Sequence, residues 1–185
     1  HFPYMQFFFL CSILHLGKVT KNLVILCNEN QKNFANMEIS ISDELSSIIN
    51  FSREEAMRTG SYGIAPDHLF LGIIRHRENT AVDALRGAMI DIDEMKQFID
   101  EKIFTNEHIP YSDIDKVSFS RGTQNVLSFT ILEATKLRSA QASSQHLLLA
   151  LCKVGSSYGS TYLHELGIDY GHIYKYLDRN ELLDK

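Results

Sequence analysis

The chain has 185 residues, 44% hydrophobic and 22% charged, with ten glycines and three prolines; this excludes collagen-like, low-complexity and disordered classes and allows one good core. Formal net charge is −5, and the first 36 residues hold Lys18, Lys21 and Lys32 against Glu29, so the body beyond them is more acidic still. An acidic body without a basic stripe excludes nucleic acid as the expected partner, because phosphates need clustered Lys and Arg.

Residues 1–36 read differently from the rest. The run "QFFFLCSILHL" lacks helical alternation and is shorter than the roughly 20 apolar residues that span a bilayer. It has the size of a signal-peptide core, but no basic residue precedes it and no small-x-small cleavage site follows. "LVILC" has Leu26 where a lipoprotein box wants a small residue. The sequence therefore reads Met37 as the native start and 1–36 as translated upstream sequence, with no membrane expected. Cys11, Cys27 and Cys152 have neither paired nor metal-type spacing, so a reducing, cytoplasmic setting is expected instead of a disulfide scaffold.

From Met37 onward the chain aligns with itself at a spacing of 78 residues, without gaps. Ser42 meets Ser120, Phe51 meets Phe129, and Glu55-Ala56 meets Glu133-Ala134. His68-Leu69 meets His146-Leu147, and Ile90-Asp91 meets Ile168-Asp169. Each copy predicts four helices. Ser42 is an N-cap, Asp43 and Glu44 suit the positive end of the first helix, and Leu45, Ile48, Ile49, Ser52 and Ala56 keep helical spacing up to Thr59-Gly60. Pro66 opens a second helix, a third covers about 80–88, and Asp91 with Glu94 caps a fourth that reaches Ile103. The second copy predicts a Ser120 cap with a helix to about Arg138, then helices from Ser144, over about 160–165, and from Asp169. Between the copies, residues 105–116 form a polar linker broken by Pro110. No segment alternates long enough to argue for strands. The expected fold is all-α: an eight-helix bundle of two pseudo-twofold-related four-helix repeats, 37–104 and 117–185.

Ser42, "REEA" at 53–56, "DHLFLGII" at 67–74, Ala84-Leu85 and Ile90-Asp91 carry a resemblance. Their counterparts are Ser120, Leu132-Glu133-Ala134 and "QHLLLAL" at 145–151. Repeated in register over about residues 39–180, they resemble the Clp N-terminal domain, the double-repeat module at the front of Hsp100/Clp AAA+ unfoldases. The resemblance implies a protein-binding domain that docks substrates or adaptors for a Clp unfoldase or protease, with the Clp ATPase, its clients and its adaptors as partners. No cofactor, metal or catalytic residue is expected. No G-x-x-x-x-G-K-[ST] loop occurs, so ATP hydrolysis is not expected of this polypeptide, as a stand-alone domain or as a fragment of a full-length Clp ATPase.

Some members of that family bind phosphorylated arginine. The resemblance places Ser42 with Asp67, and Ser120 with Gln145, as two candidate sites: a helix start for the phosphate and an acid before the histidine for the guanidinium. Here Asp67 is one methylene shorter than glutamate and Gln145 has no charge. The bland alternative is that Ser42 and Ser120 are caps and Asp67 complements a helix dipole. His68 and His146 invite a hydrolase reading, but no Ser or Cys stands in an elbow-type context, so each imidazole is expected to lock the turn between the first two helices of its copy. Cys152 is expected to be inert packing. Of Tyr158, Tyr162, Tyr170, Tyr174 and Tyr176, about half are expected in the core. A membrane-tethered helical protein, held by residues 7–16, is a further alternative.

Overall fold

A computed structural model describes residues 39–183; the expectations for residues 1–36 lie outside them. The order is β1 (Ser40–Ile41), α1 (Asp43–Arg58), β2 (Gly63–Ile64), α2 (Pro66–His76), α3 (Thr80–Gly87) and α4 (Ile92–Ile103). A 3₁₀ turn (Tyr111–Lys116) follows, then β3 (Ser118–Phe119), α5 (Arg121–Lys136), β4 (Gln141–Ala142), α6 (Ser144–Val154), α7 (Tyr158–Glu165) and α8 (Tyr170–Arg179). Adding 78 to the bounds of each first-half element returns its second-half partner; only the end of α8 falls short. The fold is helical, as expected.

The helix starts follow from local chemistry. Ser42 accepts the Leu45 amide and Ser120 the Thr123 amide, each satisfying one of the orphan donors of a first turn. Asp91 accepts both the Asp93 and Glu94 amides at 3.0 Å. Helix α7 begins two residues earlier than the spacing predicts, because Ser157 caps it by accepting the Ser160 amide.

Helices α2 and α6 explain the duplicated phrase. Leu69, Phe70, Leu71 and Ile73 in one, and Leu147 through Leu151 in the other, are all buried. A helix apolar on every side must be covered on every side. Helices α1 and α5 pack along them, and the outer pairs α3–α4 and α7–α8 close the remaining faces.

Four two-residue strands are the feature that sequence periodicity misses, being too short to alternate. They join the halves reciprocally. β1 pairs with β4 and β2 with β3, both parallel, so the first strand of each copy holds the second strand of the other. The Ser42 amide donates to the Ala142 carbonyl at 2.9 Å, and the Ser120 amide to the Ile64 carbonyl at 3.0 Å: one bond, made twice around the pseudo-twofold.

The copies have exchanged steric tasks. Three backbone positions lie in the left-handed region in both halves: Gly60 and Arg138, Arg77 and Gly155, Met89 and Gly167. Each pair has glycine in one copy, where that region is free of Cβ strain, and a larger residue in the other.

Candidate functional site

The histidines sit where the second helix of each half begins. His68 Nδ1 accepts the Ala65 amide at 2.8 Å, and its Nε2 lies 2.9 Å from Thr59 Oγ1. With Nδ1 accepting, the ring proton is assigned to Nε2 and donated to Thr59, whose hydroxyl donates onward to the Glu55 carbonyl. The imidazole thus ties the end of α1 to the start of α2. Burial, with a smaller contribution from the Arg58 charge, pushes its pKa down to about 4. His146 repeats the arrangement with the Ser143 amide and the Ser139 hydroxyl. The turn-locking role holds for both.

Asp67 also faces inward, 5% exposed. Its Oδ1 accepts the Gly159 amide at 2.9 Å, so a carboxylate of the first half caps α7 of the second. Burial raises its pKa, against the lowering effect of the Gly159 and Tyr158 amides. A raised folded value means that burying the ion costs stability at neutral pH, a cost relieved as pH falls through that value. Asp67→Asn keeps an acceptor and removes the ion. It should melt higher than the parent at pH 7, by about 1 kcal/mol of stability, and the gap should close on acidification. Urea titrations at pH 7 and pH 4 check this.

The four candidate residues are regrouped by the fold. Helix α2 runs back along α1, so Asp67 lies at the Thr59 end of α1, and a 16-residue helix puts Ser42 about 24 Å away. Ser42 is brought instead to the start of α6, beside Gln145, and Ser120 to the start of α2, beside Asp67. Two equivalent edges result, each made by a helix start from each half. At one, Glu44 Oε1 accepts the Ser144 amide at 3.1 Å. At the other, Pro66 has no amide to satisfy, and Gly122 stands in place of Glu44, close against the proline ring. The edges also differ in charge. The first turn of α1 carries Asp43 and Glu44, which repel an anion, whereas that of α5 carries no acid.

Sequence reasoning missed two buried carboxylates on α1 and α5. Glu55 accepts from Arg58 at 2.7 Å and from Arg75 at 3.0 Å. Glu133, 1% exposed, accepts from Lys153 and from the Tyr170 hydroxyl, both at 2.8 Å, with Lys136 at 3.4 Å. Burial pushes the Glu133 pKa up, but these donors together hold it below the usual value. The signal was available: Glu-Ala recurs at 78 residues, in register with the inward-facing positions of each helix.

Tyr162 is buried, Tyr170, Tyr174 and Tyr176 are half-buried, and Tyr158 is exposed. Cys152 lines a cleft of about 190 Å³ with Ser160, Thr161, His164 and Asp169. Burial, then the Asp169 charge, pushes its pKa up to about 12, which suits packing and not nucleophilic attack. Among the described residues no group of three or more His, Cys, Asp or Glu converges to hold a metal, and no helix is long and apolar enough to cross a membrane.

Fold and site together define a duplicated helical module whose repeated polar residues hold turns and helix ends in place. A family model described as the Clp repeat (R) N-terminal domain matches residues 40–166, and the chain belongs to that family. It is 25% identical over 121 residues to the chaperone protein ClpB of Oceanobacillus iheyensis, and 23% identical over 121 residues to the negative regulator of genetic competence ClpC/MecB of Bacillus subtilis. Each alignment covers 65% of this chain and 14% of the relative, so the chain spans a small part of those proteins. Its fold is similar to the N-terminal domain of ClpD from Arabidopsis thaliana (TM-score 0.60, 20% identity, 76% of this chain and 94% of that one). It is similar too to the Hsp104 N-terminal domain from Candida albicans (TM-score 0.60, 17% identity, 74% and 87%). Clp N-terminal domains are non-catalytic protein-interaction domains.

Proposed function

We propose that this Clp repeat domain docks client polypeptides or adaptors for a Clp AAA+ unfoldase, by non-covalent recognition and without chemistry of its own. The observation that carries the reading is the pair of edges where the halves meet. Each presents a helix start from one copy beside a helix start from the other, set rigidly by the reciprocal strand bonds. A surface fixed before binding loses little conformational freedom on capture. The ATPase is assigned to another segment or another polypeptide. A pulldown from the native cell, with the whole chain as bait, should recover a Clp ATPase, its peptidase or a set of their clients; their absence from repeated captures would remove the link.

Phosphoarginine on a client is the ligand chemistry proposed for Ser42, Asp67, Ser120 and Gln145. Of the two edges, Ser120 with Asp67 suits it better, because α5 opens without an acid and Asp67 supplies the carboxylate. The guanidinium there must compete with the Gly159 amide for that carboxylate. Free phosphoarginine should displace captured clients from the parent and not from Asp67→Asn, which keeps an acceptor for α7. Displacement that is absent from the parent, or unchanged in the variant, defeats this part while leaving docking in place.

A further inference from the structure

We propose, building on the phosphoarginine reading of the Ser120–Asp67 edge, that the first turn of α7 is a gate on that edge. Capture of a client's guanidinium by Asp67 takes the carboxylate from the Gly159 amide and releases the start of α7.

The carboxylate is covered. Asp67 is 5% exposed, so a ligand reaches it only after its cover moves. The start of α7 is part of that cover, because Asp67 Oδ1 accepts the Gly159 amide at 2.9 Å. A guanidinium fork engages both oxygens of a carboxylate, and here one of them is already taken. Once its acceptor turns to the ligand, the buried Gly159 amide has to swing out to water, since staying in place would orphan it.

The two copies show why capping and recognition fall on one group at this edge. The residue of the first half that corresponds to Gly159 is Ala81, whose amide donates to Ser144 Oγ at 3.3 Å. Pro66 stands where Ser144 does and has no hydroxyl, so the cap on α7 passes to the next residue, Asp67. At the Ser42–Gln145 edge the capping hydroxyl lies outside the candidate pair. The gate belongs to the Ser120–Asp67 edge, where α5 reaches Pro66 through Gly122.

Two further ties hold the turn closed. Ser157 Oγ accepts the Ser160 amide at 3.1 Å. The Gly159 backbone lies against the Phe70 ring, so close that a Cβ there would be 2.5 Å from Phe70 Cδ2. An eight-residue helix depends on such ties, because its own hydrogen bonds are too few to fix its start. Every tie that favours the closed turn opposes the ligand, since a site open only part of the time binds more weakly by that fraction. Coupling of this kind is reciprocal: loosening the turn tightens binding, and binding loosens the turn.

The test uses the whole ¹⁵N-labelled chain, free phosphoarginine as the probe, and hydrogen exchange read at single amides. On saturation the Ser120 and Thr123 amides should shift. The Gly159 amide should exchange faster by about tenfold or more, while the Ala81 amide at the ungated position stays unchanged. Ser157→Ala removes the Ser160 tie; it should melt lower than the parent yet bind phosphoarginine about threefold or more tighter. A Ser157 that serves stability alone would leave affinity unchanged or lower it. Binding at Ser120 and Thr123 with Gly159 exchange unchanged or slowed, or with no gain in Ser157→Ala, would overturn the gate and leave the edge standing. Absence of any shift at Ser120 and Thr123 would overturn the gate and the phosphoarginine reading together.

Discussion

Gly159→Ala should cost about 2–3 kcal/mol of unfolding free energy, and adding Phe70→Leu should restore most of it. A Cβ at residue 159 would lie 2.5 Å from Phe70 Cδ2, and the ring cannot swing aside because Phe70 is fully buried. Close-packed interiors answer such an insertion with off-rotamer side chains or a backbone shift. The rescue is suggested by the protein itself. The positions equivalent to Phe70 and Gly159 are Leu148 and Ala81, so the other copy fills the same junction with a smaller side chain on α6 and a larger one on α3. Phe70→Leu alone should cost about 1–2 kcal/mol through the void it leaves. In a double-mutant cycle followed by urea unfolding, the two changes should therefore be strongly non-additive. Costs that simply add would show that the halves are not packed as equivalent surfaces at this point.

The second large effect is on acid stability. His68 is held neutral, with a folded pKa of about 4 against an unfolded value near 6.5. The unfolded chain therefore binds a proton that the folded chain refuses between those values. Stability contributed by this group is fully present above pH 6.5 and is lost as pH falls towards 4, an order-of-magnitude loss of about 3 kcal/mol. The physical source is burial, since protonation would put a charge against the Ala65 amide and into an apolar site. His68→Gln should be less stable than the parent at pH 7, because the bridge from Thr59 to Ala65 is lost, yet its stability should vary less between pH 6.5 and 4.5. An NMR titration offers an independent check. The His68 ring should remain neutral through pH 5 while exposed imidazoles titrate, and a His68 midpoint near 6.5 would refute the account.

Much of this architecture could be read from the residues alone. The 78-residue register, the eight helices, the Ser42 and Ser120 caps and the buried α2 and α6 follow from side-chain period, cap chemistry and the apolar runs at 68–74 and 146–152. These depend on neighbours within a turn or two. The turn-locking role of the histidines was legible for the same reason, since each imidazole bonds residues only a few places away.

The candidate site was less legible. Ser42, Asp67, Ser120 and Gln145 could be picked out by type and position, but the repeat made it natural to pair them within each copy. The fold pairs them across copies, because an antiparallel helix pair sends the start of α2 to the far end of α1. Glu55 and Glu133 could be aligned as a repeated Glu-Ala phrase, but their partners could not be named, because α2 and α6 bring Arg75 and Lys153 to them from 20 residues away.

The sequence by itself determined that one helical unit was written twice, where most of the helices start, and which sides of the helices are apolar. Only the tertiary structure decided that each copy completes the other, through the exchanged strands, the Asp67 cap on α7 and the seat of Phe70 against Gly159. The physical reason is reach. Periodicity and capping are set by residues within a few positions of one another, whereas the strand pairs that join the halves link residues from 55 apart (Gly63 and Ser118) to 101 apart (Ser40 and Gln141), which meet only after both copies have folded.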